Sequence, residues 1–431
     1  MAIEMPHTGQ GQELKPRLPR KFPRRKLLAA AGAAAAFGTA YGIGKAFSIP
    51  MPGIAKDGNG DGSSPSNNPG DGNGNQQIGA DSTPTATITP EHTPTVTSTE
   101  VVRDPSSLRE LAKKSGLTVG CELTGNWFSD AKWKEIVGNQ FNVGQIEWGL
   151  HWNEVEPAKG KFDFSVVDRL VDFGRKNDMK LSGQNLIWGN QNFIPKWLSN
   201  GNFSRDEMET IFRNHISQII RRYKGVVDEW VVVNEAYKYP DRVRKEDIFM
   251  DTLGRDYIRI AFDEAKKSNS DATLIYNDTH NDMGNGVTTK LNKGIIESLR
   301  AAGFVDDKFV LGVQGHKKGG VNFSTMDVTD TLRSYGIDRI KLTEFDVDMT
   351  GVQGSVEERG EIEAQKYSSF LHAVYDSGLC RDFSFQGIGD KNNWLVRGGS
   401  PDASPTMFDD NLNPKPAFRA VQDFLANIVS K

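Results

Sequence analysis

Cysteine is scarce in this chain, which excludes a small scaffold held together by disulfides. Only Cys121 and Cys380 occur in 431 residues. Both stand beside apolar residues, which favours packed free thiols. The alternative is a bridge between the first and the last predicted strand.

The chain beyond its N-terminus also lacks a net positive charge. Residues 1–26 carry seven basic and two acidic side chains, whereas the whole chain has a net charge of −4, so the remainder carries −9. A mildly acidic body offers no basic surface to a phosphate backbone. We therefore expect no nucleic-acid partner.

The chain has no strongly apolar run, but its N-terminus resembles an export signal. Arg24 and Arg25 precede an uncharged run, residues 27–44, in which alanine and glycine dominate. Twin-arginine signals of bacteria have this form. No clear cleavage site follows, so residues 1–47 have two interpretations: a signal peptide that is removed, or an N-terminal anchor that barely reaches the roughly 20 residues of a membrane span. We expect export across the bacterial cytoplasmic membrane to a secreted or surface-tethered state.

Residues 48–103 have the composition of a disordered linker. They are rich in glycine, asparagine and aspartate and then in threonine, proline and serine, so they cannot bury a core. Asp57–Gly62 resembles the start of a calcium loop, but Asn68 stands where such a loop needs glutamate, and calcium binding is not favoured. We interpret the segment as a tether.

From residue 104 onward, strand-like and helix-like segments alternate. The predicted strands are residues 118–123, 141–147, 180–188, 227–235, 273–278, 309–316, 339–346 and 383–390. The clearest helices are predicted at residues 164–177, 206–223, 286–302, 356–377 and 415–429. Eight βα units over residues 104–431 indicate an α/β fold with a single (β/α)8 TIM barrel, which fits better than a doubly wound open sheet. We expect this domain to be a monomer.

Two of the predicted strands end in glutamate. Glu235 follows Trp230–Asn234, and Glu344 is followed two positions later by Asp346, on the same face of the strand. Catalytic groups of a TIM barrel collect at the C-terminal ends of its strands. One protonated and one ionised carboxyl about 5 Å apart are what a retaining glycoside hydrolase needs. The two glutamates are therefore a candidate catalytic pair.

Polar and aromatic residues stand at nearly every strand end. Carboxylates, amides and indoles around a barrel mouth suit a sugar, whose hydroxyls need paired hydrogen bonds and whose C–H faces stack on tryptophan. The ring predicted in this way consists of Glu147, Trp188, Asn234, Glu235, Asn277, Asp278, Gln314, His316, Glu344, Asp346 and Asp390.

The residues around both glutamates resemble glycoside hydrolase family 10, the endo-β-1,4-xylanases. Trp230–Ala236 is similar to the family's Trp-Asp-Val-Val-Asn-Glu-Ala, and Leu342–Val347 is similar to its Ile-Thr-Glu-Leu-Asp-Val. Other runs match in the same order: Glu156-Pro157 with Phe162–Asp168, Tyr276–Asp278, Gly312–His316 and Asp390–Trp394. The resemblance extends over about residues 108–425.

This resemblance implies an O-glycoside hydrolase similar to the endo-1,4-β-xylanases, which hydrolyses xylan by a retaining double displacement without metal or cofactor. Glu235 would be the acid/base and would hold a proton near neutral pH, and Glu344 would be the nucleophile. Asn234 would bind the sugar 2-hydroxyl, and His316, held by Asp346, would orient the nucleophile.

The resemblance also implies a set of substrate-binding residues. They are Glu147, Trp148, His151, Gln184, Trp188, Gln191, Asn234, Gln314, His316 and Trp394, with Asp346 and Asn277 as supporting residues. Gln314 would tune the acid/base.

The resemblance is weakest in the substrate cleft. Trp148 and His151 stand where the family has an amide and a lysine, Gln184 and Gly189 replace histidines, and Gln386 replaces a tryptophan. A lost polar contact to a sugar hydroxyl costs roughly 1–3 kcal/mol, so several such changes can redirect specificity and leave the mechanism intact.

Two alternatives therefore stay open. One is the same fold and mechanism acting on another β-linked glycan or on an aryl glycoside. The other is a surface carbohydrate-binding protein that has lost turnover. Retention of both glutamates argues against the second, because a protein that only binds does not need a protonatable and an ionised carboxyl together.

Overall fold

The computed structural model describes residues 104–124, 128–238, 242–243, 247–284 and 286–430. The predicted signal or anchor (1–47), the predicted linker (48–103) and the run that resembles a calcium loop lie outside the described residues and stay predictions. Among the described helices, none has both the length and the apolar character that crossing a membrane requires.

Within the described residues, eight parallel strands close into a barrel. They are named β1 to β8 and have the bounds Thr118–Leu123, Val143–Ile146, Lys180–Gly183, Glu229–Asn234, Thr273–Asp278, Phe309–Val313, Ile340–Phe345 and Cys380–Phe385. Each strand pairs with the next in sequence, and β8 pairs with β1. The short strand Ile187–Trp188 also pairs with β4. The predicted (β/α)8 barrel is confirmed.

Helices cover the outside of the barrel. Those of seven or more residues among the described parts are named α1 to α9 and have the bounds Leu108–Lys114, Ala131–Gln140, Ser165–Lys176, Arg205–Arg222, Asp256–Ser268, Val287–Ala301, Thr325–Arg333, Val356–Asp376 and Pro416–Val429. Helix α1 precedes β1, and α2 to α9 follow β1 to β8 in turn.

The loops after the strands contain short elements. Short α-helices occur at Trp152–Val155, Lys196–Ser199, Ile248–Leu253 and Trp394–Arg397, and 3₁₀ turns occur at Gln191–Phe193 and Asp390–Asn392. Two-residue strands pair Tyr237–Lys238 with Arg242–Val243, and Lys317–Lys318 with Val347–Asp348.

The five helices predicted most clearly agree with the structure to within one residue at each end. Their start signals are explicit in the sequence. Ser204 and Glu207 form a capping box at the start of α4, as do Ser355 and Glu358 at the start of α8. Helix α9 begins at Pro416, whose missing N–H costs nothing in the first turn.

Three strands end three or more residues earlier than predicted, at Gly183 in β3, at Val313 in β6 and at Phe385 in β8. The apolar pattern that suggested longer strands continues because Leu186, Ile187 and Ile388 are buried. Most of these apolar side chains are buried by packing beyond the end of the strand and not by strand pairing. Periodicity alone therefore overestimated the length of the strands.

The cysteines are packed free thiols, as the favoured interpretation predicted, and the alternative bridge is wrong. Cys121 and Cys380 are both fully buried. Burial raises the pKa of the Cys380 thiol to about 12 and that of Cys121 well above its ordinary value. Both thiols are therefore uncharged packing groups at neutral pH.

The close packing of β3 against β4 gives a testable prediction. A Cβ atom at Gly183 would lie 2.2 Å from the ring of Trp230, which is buried and flanked by core residues. We expect Gly183→Ala to lower the free energy of unfolding by about 1–3 kcal/mol, because the indole can move only by disturbing the core. Urea unfolding measures the change.

The matched control is Gly294→Ala, in the interior of α6, where an added Cβ meets no atom within 4 Å. Alanine should raise stability there by up to about 1 kcal/mol. Equal stability of the two variants would contradict the packing of Gly183 on Trp230.

Candidate active site

Glu235 follows the last residue of β4 in an unusual backbone conformation. Its φ is +44°, a region that residues other than glycine rarely occupy. The backbone N–H donates to the carbonyl of Asn277 on β5 at 2.9 Å. The side chain accepts hydrogen bonds from Gln314 Nε2 at 3.0 Å and from Trp188 Nε1 at 3.3 Å. Neighbouring strands thus hold the residue in a conformation that it would not adopt alone.

Glu344 lies near the end of β7 and is held by donors on both oxygens. Oε1 accepts from Gln184 Nε2 at 2.8 Å and from Asn277 Nδ2 at 2.7 Å. Oε2 lies 3.3 Å from His316 Nε2. Because three side chains fix the carboxylate, its orientation is set before any ligand binds.

A chain of amides connects the two glutamates. Asn277 Nδ2 donates to Glu344 and also to Asn234 Oδ1 at 2.8 Å. Gln314 Nε2 approaches both Asn234 Oδ1, at 3.3 Å, and Glu235 Oε1. Since Asn234 Oδ1 accepts two N–H groups, the orientation of that amide is fixed, and its Nδ2 is the group that donates to any further partner.

His316 carries positive charge beside Glu344. Burial lowers the pKa of its imidazole, but Asp346 and Glu344 outweigh burial and raise the pKa to about 10. Both ring nitrogens therefore donate at neutral pH, Nδ1 to Asp346 Oδ1 at 2.7 Å and Nε2 to Glu344. Trp394 Nε1 and Asn393 Nδ2 lie 2.8 and 3.4 Å from Asp346 Oδ2. The carboxylate of Asp346 is therefore fixed by groups on both of its oxygens, and it fixes the imidazole of His316 in turn.

Aromatic rings form one wall of the site. Trp188 stacks on Phe193, with 4.7 Å between ring centroids, and Phe193 stacks on His151 at 4.0 Å. Trp148 meets His151 edge-on at 5.6 Å. His151 is only 2% exposed, and its Nε2 lies 3.8 Å from Glu147 Oε1. The imidazole of His151 is therefore buried inside this wall, where it packs with Phe193 and helps to hold the indoles of Trp148 and Trp188 in place.

Two further carboxyls, Glu122 and Glu147, lie close together at the ends of β1 and β2. Gln386 Nε2 is 3.3 Å from Glu122 Oε2 and 3.1 Å from Glu147 Oε2. Burial, and then the charge of Glu344, raises the pKa of Glu147 to about 7. Burial, followed by the charges of Glu147 and Glu344, raises the pKa of Glu122 well above its ordinary value.

Two members of the predicted ring serve as anchors within the fold. Asp278 accepts hydrogen bonds from Tyr276 Oη and Asn292 Nδ2, both at 2.8 Å, so it ties β5 to α6. Asp390 binds Lys415 Nζ at 3.1 Å and so fixes the start of α9. Sequence alone could not separate these carboxylates from the others, because all of them follow apolar strands.

Most residues predicted for the site meet in one network of hydrogen bonds and ring contacts. It includes Glu147, Trp148, His151, Gln184, Trp188, Asn234, Glu235, Asn277, Gln314, His316, Glu344, Asp346 and Trp394. Gln191 is exposed in the 3₁₀ turn that carries Phe193. Among the residues that the structure describes, no three His, Cys, Asp or Glu side chains are arranged to hold a metal ion.

Sequence reasoning did not assign Glu122, Phe193, Asn393 or Arg397 to the site. Glu122 had a usable signal, an acidic residue near the end of an apolar strand, which is also the signal that identified Glu344. Phe193 stacks on Trp188, and Asn393 donates to Asp346. No pattern in the sequence predicts either contact.

The two glutamates occupy different environments, which is what acid/base chemistry combined with nucleophilic chemistry requires. Glu344 is buried among two amides and an imidazolium, whereas Glu235 is partly exposed and contacts an amide and an indole.

Comparisons with known proteins agree with this geometry. The model of Glycosyl hydrolase family 10 matches residues 107–424. Endo-1,4-beta-xylanase B of Thermotoga neapolitana is 30% identical over 323 residues, which are 74% of this chain and 91% of that protein. Endo-1,4-beta-xylanase C of Phanerodontia chrysosporium is 30% identical over 74% of this chain and 79% of its own.

Solved structures give the same result. Native xylanase 10B from Thermotoga maritima superposes with a TM-score of 0.69 at 28% identity, over 75% of this chain and 99% of that one. Xylanase 10B from Thermotoga petrophila, solved in complex with xylobiose, has a TM-score of 0.69 at 27% identity, over 75% and 98% of the two chains. The chain belongs to glycosyl hydrolase family 10 and is an O-glycoside hydrolase.

Proposed function

We propose that this protein is a retaining endo-1,4-β-xylanase and that Glu235 and Glu344 carry out the reaction. The observation that carries the proposal is the amide chain that joins these two strand-end carboxyls and holds each in a different environment. The names of the relatives, and the xylobiose bound in one solved neighbour, support xylan as the substrate.

In the first step Glu344 attacks the anomeric carbon of the sugar at the cleavage point. Glu235 donates its proton to the glycosidic oxygen as the bond breaks, and the glycone becomes an ester of Glu344. His316 and the two amides orient the attacking carboxylate. Because these donors are in place beforehand, little reorganisation is needed as the charge on Glu344 changes.

In the second step Glu235 has become a carboxylate and takes a proton from water. That water attacks the anomeric carbon, the ester to Glu344 breaks, and the sugar leaves with its original configuration. Gln314 and Trp188 hold Glu235 through both steps. Asn234 Nδ2 donates to the sugar 2-hydroxyl, a contact that strengthens in an oxocarbenium-like transition state.

A second candidate is the same mechanism acting on another β-linked glycan. The observation that favours it is the wall in which Gln386, one of the residues that departs from the family, contacts Glu122 and Glu147. A carbohydrate-binding protein without turnover is less well supported, since the hydrogen-bond network around both catalytic carboxyls is complete.

The substrate and the nucleophile can be tested together. Reducing sugar released from xylan, glucuronoxylan, mixed-linkage β-glucan, carboxymethyl-cellulose and mannan is measured for the parent and for Glu344→Gln. We expect xylan to be the best substrate and the variant to lose at least about 10³-fold in kcat, because an amide cannot form the ester.

The matched control is Glu135→Gln, which makes the same change at an exposed position of α2. It should keep parental activity. Xylan hydrolysis by Glu344→Gln near the parental rate would rule out the nucleophile. Activity of the parent only on another polymer would support the second candidate, and inactivity of a folded parent on all five would support the binding protein.

The acid role of Glu235 predicts a dependence on the leaving group. Glu235→Ala should slow hydrolysis of xylan at least about 10²-fold but slow formation of the glycosyl-enzyme from an activated aryl glycoside far less, because a good leaving group needs little protonation. Pre-steady-state release of the phenol measures that step.

Azide gives an independent readout for the same variant. It needs no general base, so it should restore turnover and yield the β-configured glycosyl azide. Equal losses on both kinds of substrate, or an α-configured azide, would remove Glu235 from the acid/base role.

A further inference from the structure

Glu122 and Glu147 lie on the glycone side of the proposed cleavage point. Both carboxyls accept a hydrogen bond from Gln386, which follows β8. In the closed barrel, β8 is next to β7 and four strands away from β4. The nucleophile Glu344 on β7 bonds to the sugar that is retained, whereas Glu235 on β4 protonates the sugar that leaves. A side chain beyond the nucleophile, away from the acid, therefore faces the retained sugar.

The two carboxyls cannot both be ionised at low cost. Glu122 is 8% exposed, and the Glu147 side chain is 14% exposed. Burial and neighbouring carboxylates raise the pKa of both groups, that of Glu147 to about 7. Within the described residues, His151 and His316 near Glu147 and Arg397 near Glu122 oppose this rise in pKa, but only in part. The pair therefore keeps a proton at neutral pH.

Other polar groups of this wall point to a ligand. Among the described residues His151 Nε2 is buried without a hydrogen-bond partner and faces Glu147. The Trp148 side chain hydrogen-bonds Glu122, and the Arg397 guanidinium lies over its ring at 4.7 Å. A buried nitrogen without a partner, two carboxyls and an indole in one wall are the groups that bind a sugar's hydroxyls and its C–H face.

We propose that Glu122 and Glu147, bridged by Gln386, determine specificity by charge: they admit a neutral glycone and reject one that carries a carboxylate. The inference rests on the proposed function, because it requires a glycan in the cleft. A sugar hydroxyl can bond to either protonation state of the pair. A uronate brings another negative charge toward Glu344 and the pair, where few counter-charges are available.

The proposal predicts a pH dependence with a defined sign. A uronic acid is ionised throughout the range from pH 6 to pH 8, whereas Glu147, whose pKa is raised to about 7, gains its negative charge within that range. Repulsion of the uronate is therefore weaker at pH 6 and stronger at pH 8.

The test uses two aryl β-xylobiosides that carry a branch on the non-reducing xylose, glucose in one and glucuronic acid in the other. The aryl group fixes the register, and the substrates differ only by a hydroxymethyl group against a carboxylate. For the full-length parent at pH 8 we expect kcat/KM to favour the glucose branch at least about tenfold, with a smaller ratio at pH 6.

The double variant Glu122→Gln, Glu147→Gln should reduce this ratio to within about threefold of unity at both pH values, with the single variants in between. Glu135→Gln is the control: it removes one negative charge from an exposed position of α2 and should keep the parental ratio. Thermal melting shows whether each variant is folded. The pH dependence of the parent's own ratio needs no variant.

Equal use of both branched substrates by the parent at pH 8, or a parental ratio in a folded double variant, would overturn the proposal. A third result would also overturn it: parent and double variant both cleave the unbranched aryl xylobioside, but neither cleaves either branched glycoside. Exclusion of the branch would then not depend on its charge. Failure of the proposed function is distinct, because the parent would then leave the linear aryl xylobioside intact.

Discussion

The arrangement of the catalytic groups depends on the hydrogen bonds of one amide, that of Asn277. Its Nδ2 donates to Asn234 and Glu344, and its Oδ1 accepts from Thr343 Oγ1 at 2.7 Å, so a side chain with 0% exposure is fully bonded. The barrel makes this possible because β5 pairs with β4 on one side, where Asn277 lies opposite Asn234, and with β6 on the other. Gly312 lies opposite, and a Cβ there would be 2.3 Å from Oδ1, so only glycine leaves room for the amide. Removal of any one hydrogen-bond partner of Asn277 would leave a buried N–H or oxygen of its amide without that bond, which costs about 1–3 kcal/mol.

The two ends of the network differ in their electrostatics, and this difference makes two identical side chains suitable for opposite roles. Glu344 meets an imidazolium whose charge is maintained by Asp346, itself held by an indole. Glu235 accepts from the neutral donors Gln314 and Trp188, and it follows the last residue of β4 with a positive φ. The two proposed roles therefore depend on the surroundings of each glutamate, because the side chains themselves are identical.

The sequence was sufficient to predict the barrel, its longer helices and the family, because each follows from local periodicity, from capping or from an intact family motif. It was insufficient where a role depends on a distant partner. Gln386 could be identified as a substitution, but its contacts with Glu122 and Glu147 join residues 264 and 239 positions apart. His151 was predicted to contact substrate, and no pattern in the sequence shows that Phe193 stacks on its ring. Glu122 has an acidic strand-end signal, but no matched or replaced family position points to it.

The substitutions in the cleft contact one another, and most of them make no direct hydrogen bond to Glu235 or Glu344. Gln386 contacts Glu147, and Trp148 contacts His151, so several changed positions lie in one wall around β8, β1 and β2. The side chains that orient Glu235 and Glu344 come mainly from β4 to β7, whereas the wall is coupled to Glu344 through charge, since that charge raises the pKa of Glu147. Gln184 connects the two regions, because its Nε2 donates to Glu344 and its Oε1 accepts from Gln145 of β2 at 3.2 Å. A glutamine at this position keeps an N–H on Glu344, the proposed nucleophile, and it is neutral at every pH. The change at Gln184 therefore adds no titrating group in direct contact with Glu344.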